Sequence, residues 1–152
     1  MKIDFKKYIP FYISLAVMAV IFIFSVLMYL GKGYGKKYVL IFPSADEGKY
    51  VLETRYLKNN PIKEPIEYFA SELLLGSGLE RTKYLFTPGA VILSCFERNQ
   101  MVYIDLSADI INMGHNVLDI KSGIDLLKLN VQKNFPDIKE VHVFVDGKYA
   151  FE

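Results

Sequence analysis

AVILSCFERNQMVYIDL, residues 90–106, decides the fold of this chain. It opens on an apolar run, breaks at the polar Arg98-Asn99-Gln100, and resumes with Val102, Ile104 and Leu106 on one side and Tyr103 and Asp105 on the other. Successive side chains of a strand point to opposite faces, so 101–106 reads as a strand with one covered and one wetter face, joined by a tight turn to a strand over 90–97. Cys95 lies within that first strand. As the sole cysteine of the chain it forms no internal disulfide, and it reads as a small core hydrophobe rather than a nucleophile.

Downstream, Val117, Ile120, Ile124, Leu127 and Val131 recur at intervals of three and four, which predicts a helix over about 118–134 stopped by Phe135-Pro136. Gly123 inside it costs roughly 1 kcal/mol against alanine and so marks a close approach to another element. Ser107 is placed to cap a short helical turn over 108–113, with Asp105 and Asp109 bonding nearby backbone. Val141, Val143 and Val145 alternate with His142, Phe144 and Asp146, a strand facing the core with its valines; the Asp146-Gly147 turn then allows a short return over 149–151.

Upstream, 38–42 and 50–57 read as a hairpin turning at Pro43, Ser44, Asp46 and Gly48, with Tyr50, Leu52 and Tyr56 on one side. Pro65 suits the first position of a helix whose stripe is Ile66, Phe69, Ala70, Leu73 and Leu74 and which ends at Gly76 and Gly78. The order β-β-α-β-β-α-β predicts one α+β domain over 38–152, a mixed β-sheet packed on two helices.

Ahead of it, Phe11 and Leu30 bound a run of 20 residues without a charge. Twenty helical residues cover about 30 Å, the hydrocarbon thickness of a bilayer, which predicts a transmembrane helix over 11–30. Tyr8, Tyr12, Tyr29 and Tyr34 fall near its ends, where amphipathic rings sit at headgroup level. A cleaved signal peptide fits less well, because signal cores run to roughly 7–15 residues and end at small side chains, whereas this run exits through Gly31-Lys32-Gly33-Tyr34-Gly35-Lys36-Lys37. Residues 1–10 form a tail and 31–37 a juxtamembrane linker. Lys2, Lys6 and Lys7 balance Lys32, Lys36 and Lys37, so charge leaves the orientation open.

The whole-chain charge of +1 hides a split: six lysines and one aspartate precede residue 38, while 12 Lys or Arg stand against 16 Asp or Glu after it. An acidic domain behind a basic flank argues for lipid headgroups at the flank and against nucleic acid.

Several of these pieces carry a resemblance. Thr87-Pro88-Gly89-Ala90 leading into 91–96, then Val102-Tyr103-Ile104-Asp105-Leu106-Ser107, resembles the central block of the sporulation and spore-germination (GerM-type) domain. Asn134-Phe135-Pro136-Asp137-Ile138-Lys139-Glu140-Val141, Phe144-Val145-Asp146-Gly147-Lys148 and the helix end Leu73-Leu74-Leu75-Gly76 occur in the family's order, so the likeness spans nearly all of 38–148. Asn130-Val131-Gln132 stands where the family commonly shows Asn-Thr-Leu, and one copy of the domain follows a membrane helix instead of a lipoprotein anchor or a tandem array. The resemblance implies a cell-envelope domain outside the cytoplasm, with the N-terminus inside, similar in shape to ring-building domains of sporulation and secretion assemblies, and without catalytic residues.

The reactive residue types are consistent with that absence. His115 and His142 have no zinc-ligand spacing, no G-x-S-x-G elbow is present, and neither histidine has an evident acidic orienter. Gly31 to Gly35 opens no helix after a strand and so is no phosphate loop. Asp105 and Asp109 are the nearest thing to a hydrolase carboxylate pair, and turn and cap roles account for them. The sequence therefore points to a non-enzymatic, cofactor-free, single-pass membrane protein whose external domain binds an envelope protein or copies of itself. A peptidoglycan-binding module ranks second, and a cell-wall hydrolase third.

Overall fold

Helix α1, Ile9–Leu30, carries no charged side chain and buries none of its residues. At ~1.5 Å per residue its 22 residues span about 33 Å. It is long and apolar enough to cross a bilayer. Pro10 falls in its first turn, where a missing N–H removes no helical bond. The computed structural model describes residues 9–30, 35–46 and 48–150. Lys2, Lys6, Lys7, Tyr8, Gly31, Lys32, Gly33, Tyr34 and Phe151 lie outside the described residues. The chain divides into two units, Met1–Tyr34 and Gly35–Glu152.

In the second unit β1, Lys36–Pro43, pairs antiparallel with β2, Tyr50–Leu57, in a register that sets Val39 against Thr54 and Ile41 against Leu52. Strand β1 thus begins two residues earlier than the sequence suggests and takes in Lys36 and Lys37. Helix α2, Pro65–Leu74, follows with Pro65 in its first turn and Ile66, Phe69, Ala70 and Leu73 buried. Arg55 closes its far end, donating from Nη1 to the Glu72 carbonyl at 3.0 Å and from Nη2 to the Gly76 carbonyl at 2.5 Å.

Strands β3, Ile92–Arg98, and β4, Met101–Leu106, form the second hairpin, with a bulge at Leu93. Asn99 and Gln100 turn it with φ of 55° and 62°, the two left-handed residues that a two-residue turn between twisted strands requires. A short 3₁₀ turn, Ala108–Ile111, leads on to α3, Ile120–Asn134, and then β5, Glu140–Val145, which pairs parallel with β4. Asp146 and Gly147, with φ of 49° and 74°, fold β6, Lys148–Tyr149, back against β5.

The α+β class and the element order are as the sequence predicts, with one refinement of layout. The strands lie in two sheets, β1-β2 and β3-β4-β5-β6, the second being the mixed one. Helix α3 starts later than periodicity suggests. Val117 and Leu118 instead run beside Tyr84 as extended chain, and Asp119 caps the helix by accepting the Ser122 N–H at 3.0 Å. An acceptor at this position satisfies one of the helix's orphan donors.

The core lies between α2, α3 and the inner faces of both sheets, with Leu40, Phe42, Phe69, Leu73, Val102, Ile104, Leu106, Leu127, Val131 and Val143 all fully buried. Tyr38, Phe69 and Phe135 meet there as a trio with centroids 5.3–5.6 Å apart. Gly123 marks the close approach read from the sequence: a Cβ on it would stand 2.6 Å from the Leu85 carbonyl oxygen and 2.8 Å from the Phe86 ring.

Two asparagines join α3 to β1. Asn130, fully buried, accepts the Ile41 N–H at 2.7 Å and donates to the carbonyls of Ile41 and Leu126 at 2.9 Å. One turn later Asn134 repeats the pattern on Val39, accepting its N–H at 2.9 Å and donating to its carbonyl at 2.8 Å. Two side-chain amides thus stand where a third strand would pair with β1.

Candidate binding surface

Both helices pack on the valine side of the four-stranded sheet, where Val102, Ile104, Val141 and Val143 are buried. The opposite face is left to its own side chains, and the register decides what they form. Phe96 stands opposite Tyr103, Tyr103 beside His142, Asp105 beside Phe144, and Phe144 opposite Tyr149. Cross-strand neighbours on one face lie close enough to touch, so residues far apart in sequence become one row of rings. Phe96 and Tyr103 stack at 5.0 Å with 13° between planes; Tyr103 and His142 stack at 5.1 Å with 20°. Tyr149 closes the row edge-on to Phe144 at 5.2 Å.

Polar groups are interleaved with the rings of the row. His142 Nδ1 lies 3.1 Å from the Tyr149 hydroxyl, and its Nε2 lies 3.3 Å from Glu140. The sequence suggested no acidic orienter for either histidine; alternation along β5 supplies one, because residues two apart share a face. Phe96 and Tyr149 are 53% and 44% exposed. A shallow depression of about 210 Å³ is lined by Ser94, Phe96, Tyr103, Asp105, Phe144 and Gly147. Phe96 also borders a second hollow of about 620 Å³ that holds Lys36, Glu64, Cys95 and Phe135.

Of the residues singled out from the sequence, Tyr103 is the centre of this surface and Asp105 its floor. Asp105 accepts the Gly147 N–H at 3.1 Å, which ties β4 to the turn made by Asp146 and Gly147. Ser107 does not cap the 3₁₀ turn with its side chain. Its hydroxyl is taken by Asp109, to which it donates at 3.0 Å, and by the Val91 N–H, which it accepts at 3.2 Å. The supposed carboxylate pair is therefore engaged at two separate structural contacts. Pro88 and Gly89 lie elsewhere, as the centre of a turn closed by the Ala90 N–H on the Thr87 carbonyl at 3.1 Å, with Gly89 at φ 104°. Phe135 belongs to the aromatic trio of the core, and Pro136 turns the chain after α3. Phe11 and Leu30 lie in α1.

Burial pushes the Cys95 thiol up to about 12, aided by the charge of Glu67 and opposed by that of Lys63, so it is a protonated, inert group at neutral pH. Among the described residues no three His, Cys, Asp or Glu side chains gather as a metal site would require. The aromatic row escapes a reading of the sequence because its members come from four strands. Tyr103, on the wetter side of β4, and His142 and Phe144, opposite the valines of β5, are its signals in the sequence.

No protein-family model matches the chain. An uncharacterized lipoprotein of Treponema pallidum (strain Nichols) is 31% identical over 81 residues, covering 53% of this chain and 60% of that protein's length. The first GerMN domain of the sporulation protein GerM from Bacillus subtilis superposes with a TM-score of 0.59 at 12% identity, over 76% of this chain and 86% of that domain. The tandem GerMN domains of the same protein give 0.58 at 21% identity over 76% of this chain and 40% of theirs. The α+β unit described above therefore has the GerMN fold.

Proposed function

We propose that this chain is a membrane-tethered, non-catalytic binding domain of the cell envelope. Helix α1 is its single-span anchor with the N-terminus cytoplasmic, the domain lies outside the cytoplasm, and the aromatic row of the four-stranded sheet docks another envelope protein. The uncovered row carries this reading, since aromatic side chains gathered on one open sheet face are the residue type enriched where proteins meet. The apolar, uncharged α1 supports the tether. The lipoprotein relative supports the envelope, and the neighbours' names suggest sporulation or germination as the setting.

A wall-glycan site is the weaker alternative, for a geometric reason. Sugar rings pack on open aromatic faces, whereas Tyr103, at the centre of the row, has both faces covered by Phe96 and His142 at 5.0–5.1 Å, leaving only the end ring Phe96 with an open face. What the row offers outward is mostly ring edges, which suit a protein surface. The test is a photo-crosslinking residue at Phe96 in native membranes. One defined protein adduct is expected, reduced at least about tenfold by Tyr103→Ala if the ring is a hot spot. Retention of the chain on purified cell wall, lost on Tyr103→Ala, would instead establish the glycan reading.

A further inference from the structure

The β1-β2 hairpin has two edges, and only one is closed. Along β1, Asn134 and Asn130 bond Val39 and Ile41, and beyond them the Lys83 N–H bonds the Pro43 carbonyl and the Ala45 N–H the Arg81 carbonyl, both at 2.8 Å. Because Val39 and Ile41 point their main-chain groups away from β2, their partners Thr54 and Leu52 point theirs away from β1. Tyr50, Leu52, Thr54 and Tyr56 therefore present N–H and C=O groups along an outer edge that no main-chain bond covers among the described residues.

That edge lacks the usual protections. It is eight residues long, unbulged, and without lysine or proline. Its two charges, Glu53 and Arg55, are bonded to each other at 2.7 Å on the inner side. On the outer side Tyr50, Leu52 and Tyr56 are 64%, 65% and 59% exposed. An apolar, flat edge of this kind is a template for one more strand.

We propose that the open edge of β2 is a homotypic interface, at which two copies of this chain pair antiparallel through β2 with the two-fold axis at Thr54. Register and charge select the occupant. Only residues whose main-chain groups face outward can exchange bonds across the edge, which places a central axis either at Glu53 or at Thr54. An axis at Glu53 sets two carboxylates against each other. The axis at Thr54 sets Glu53 of each copy across from Arg55 of the other, opposite charges in place of like ones, and sets Leu52 against Tyr56 twice over. Opposite charges and apolar pairs directly across two strands are favourable, like charges are not. The strand is thus complementary to itself in one register. This edge belongs to the two-stranded sheet and the aromatic row to the other, so each reading fails independently of the other.

The test is disulfide trapping in the full-length chain in membranes. Thr54→Cys places two thiols on directly opposed residues about 5.5 Å apart at Cα, within reach of a disulfide, while Leu52→Cys leaves its two thiols four residues out of register, so at least about tenfold more dimer is expected from the first. The half-buried Cys95 is present in every variant, so the unmodified chain trapped in parallel sets the background. Thr54→Pro, which removes an N–H that the fold does not use, is expected to abolish copy-to-copy crosslinking at an engineered Tyr50→Cys/Lys58→Cys pair while leaving the thermal midpoint in place. Equal trapping at positions 52 and 54, no trapping at 54, or a Thr54→Cys adduct to a different protein overturns the proposal.

Discussion

Replacing Asn130 with alanine tests the joint between α3 and β1 most directly. The substitution removes the acceptor of the Ile41 N–H and the donor to the Ile41 carbonyl in a place no water reaches, since Asn130 is 0% exposed. The Leu126 carbonyl keeps its helical partner, so two backbone groups are orphaned. At roughly 1–3 kcal/mol for each buried unsatisfied group, and with some relaxation, the loss is about 3 kcal/mol. At about 4 °C per kcal/mol for a domain of this size, that lowers the thermal midpoint by roughly 12 °C. Asn134 makes the same bonds to Val39 from a half-exposed position, where water can replace the amide, and Asn134→Ala should cost only about 1 kcal/mol. Urea unfolding of the full chain in detergent micelles, followed by circular dichroism, measures both. Amide exchange at Ile41 should accelerate in the first variant. If the two variants lost the same stability within about 0.5 kcal/mol, the burial argument would be refuted.

Two further substitutions probe the packing and the ion pair. Gly123→Ala gains about 1 kcal/mol of helix propensity but forces a methyl against the Leu85 carbonyl and the Phe86 ring, an overpacking worth about 1–3 kcal/mol. A net loss in thermal midpoint is expected, and a variant as stable as the parent would show that the contact yields. Burial alone would raise the Glu53 carboxyl, yet hydrogen bonds from Arg55 and Ser77, the Arg55 charge and the Gly78 N–H together hold it below the usual glutamate value. A depressed folded-state value means the stabilisation is present above the unfolded value of about 4.3 and is lost as pH falls through the folded one. Glu53→Gln should therefore be less stable than the parent at pH 7 and lose less on acidification below about pH 4. Parallel stability curves for the two chains would count against this.

The strands and helices were legible because each buries one face, and burial leaves a period in the chain. Val102, Ile104 and Leu106 could be read as one face without a structure, and so could Ile66, Phe69 and Leu73. Gly123 was legible because a glycine inside a helix costs energy that something must return. Asn130 was not. An asparagine on a helix looks like surface, and its partner is Ile41, 89 residues away. The division into two sheets has no local signature for the same reason, since side-chain amides of α3 occupy the β1 edge. Ser107 departs from the capping role its position suggests because its hydroxyl is held by Asp109 and by the Val91 N–H across the hairpin. The aromatic row depended on register among four strands, which one-dimensional periodicity does not carry.

The Asn130 and Asn134 bonds also set an order of events during synthesis. Strands β1 and β2 leave the ribosome early, yet the groups that seal the middle of β1, at Val39 and Ile41, belong to α3, about 90 residues later in the chain. Until that helix arrives, the hairpin has two open edges instead of one, and an isolated hairpin of this kind is marginal in water. The first part of the domain to be made is thus the last to be finished, and nascent chains held side by side would be open to mispairing through β1 throughout that interval.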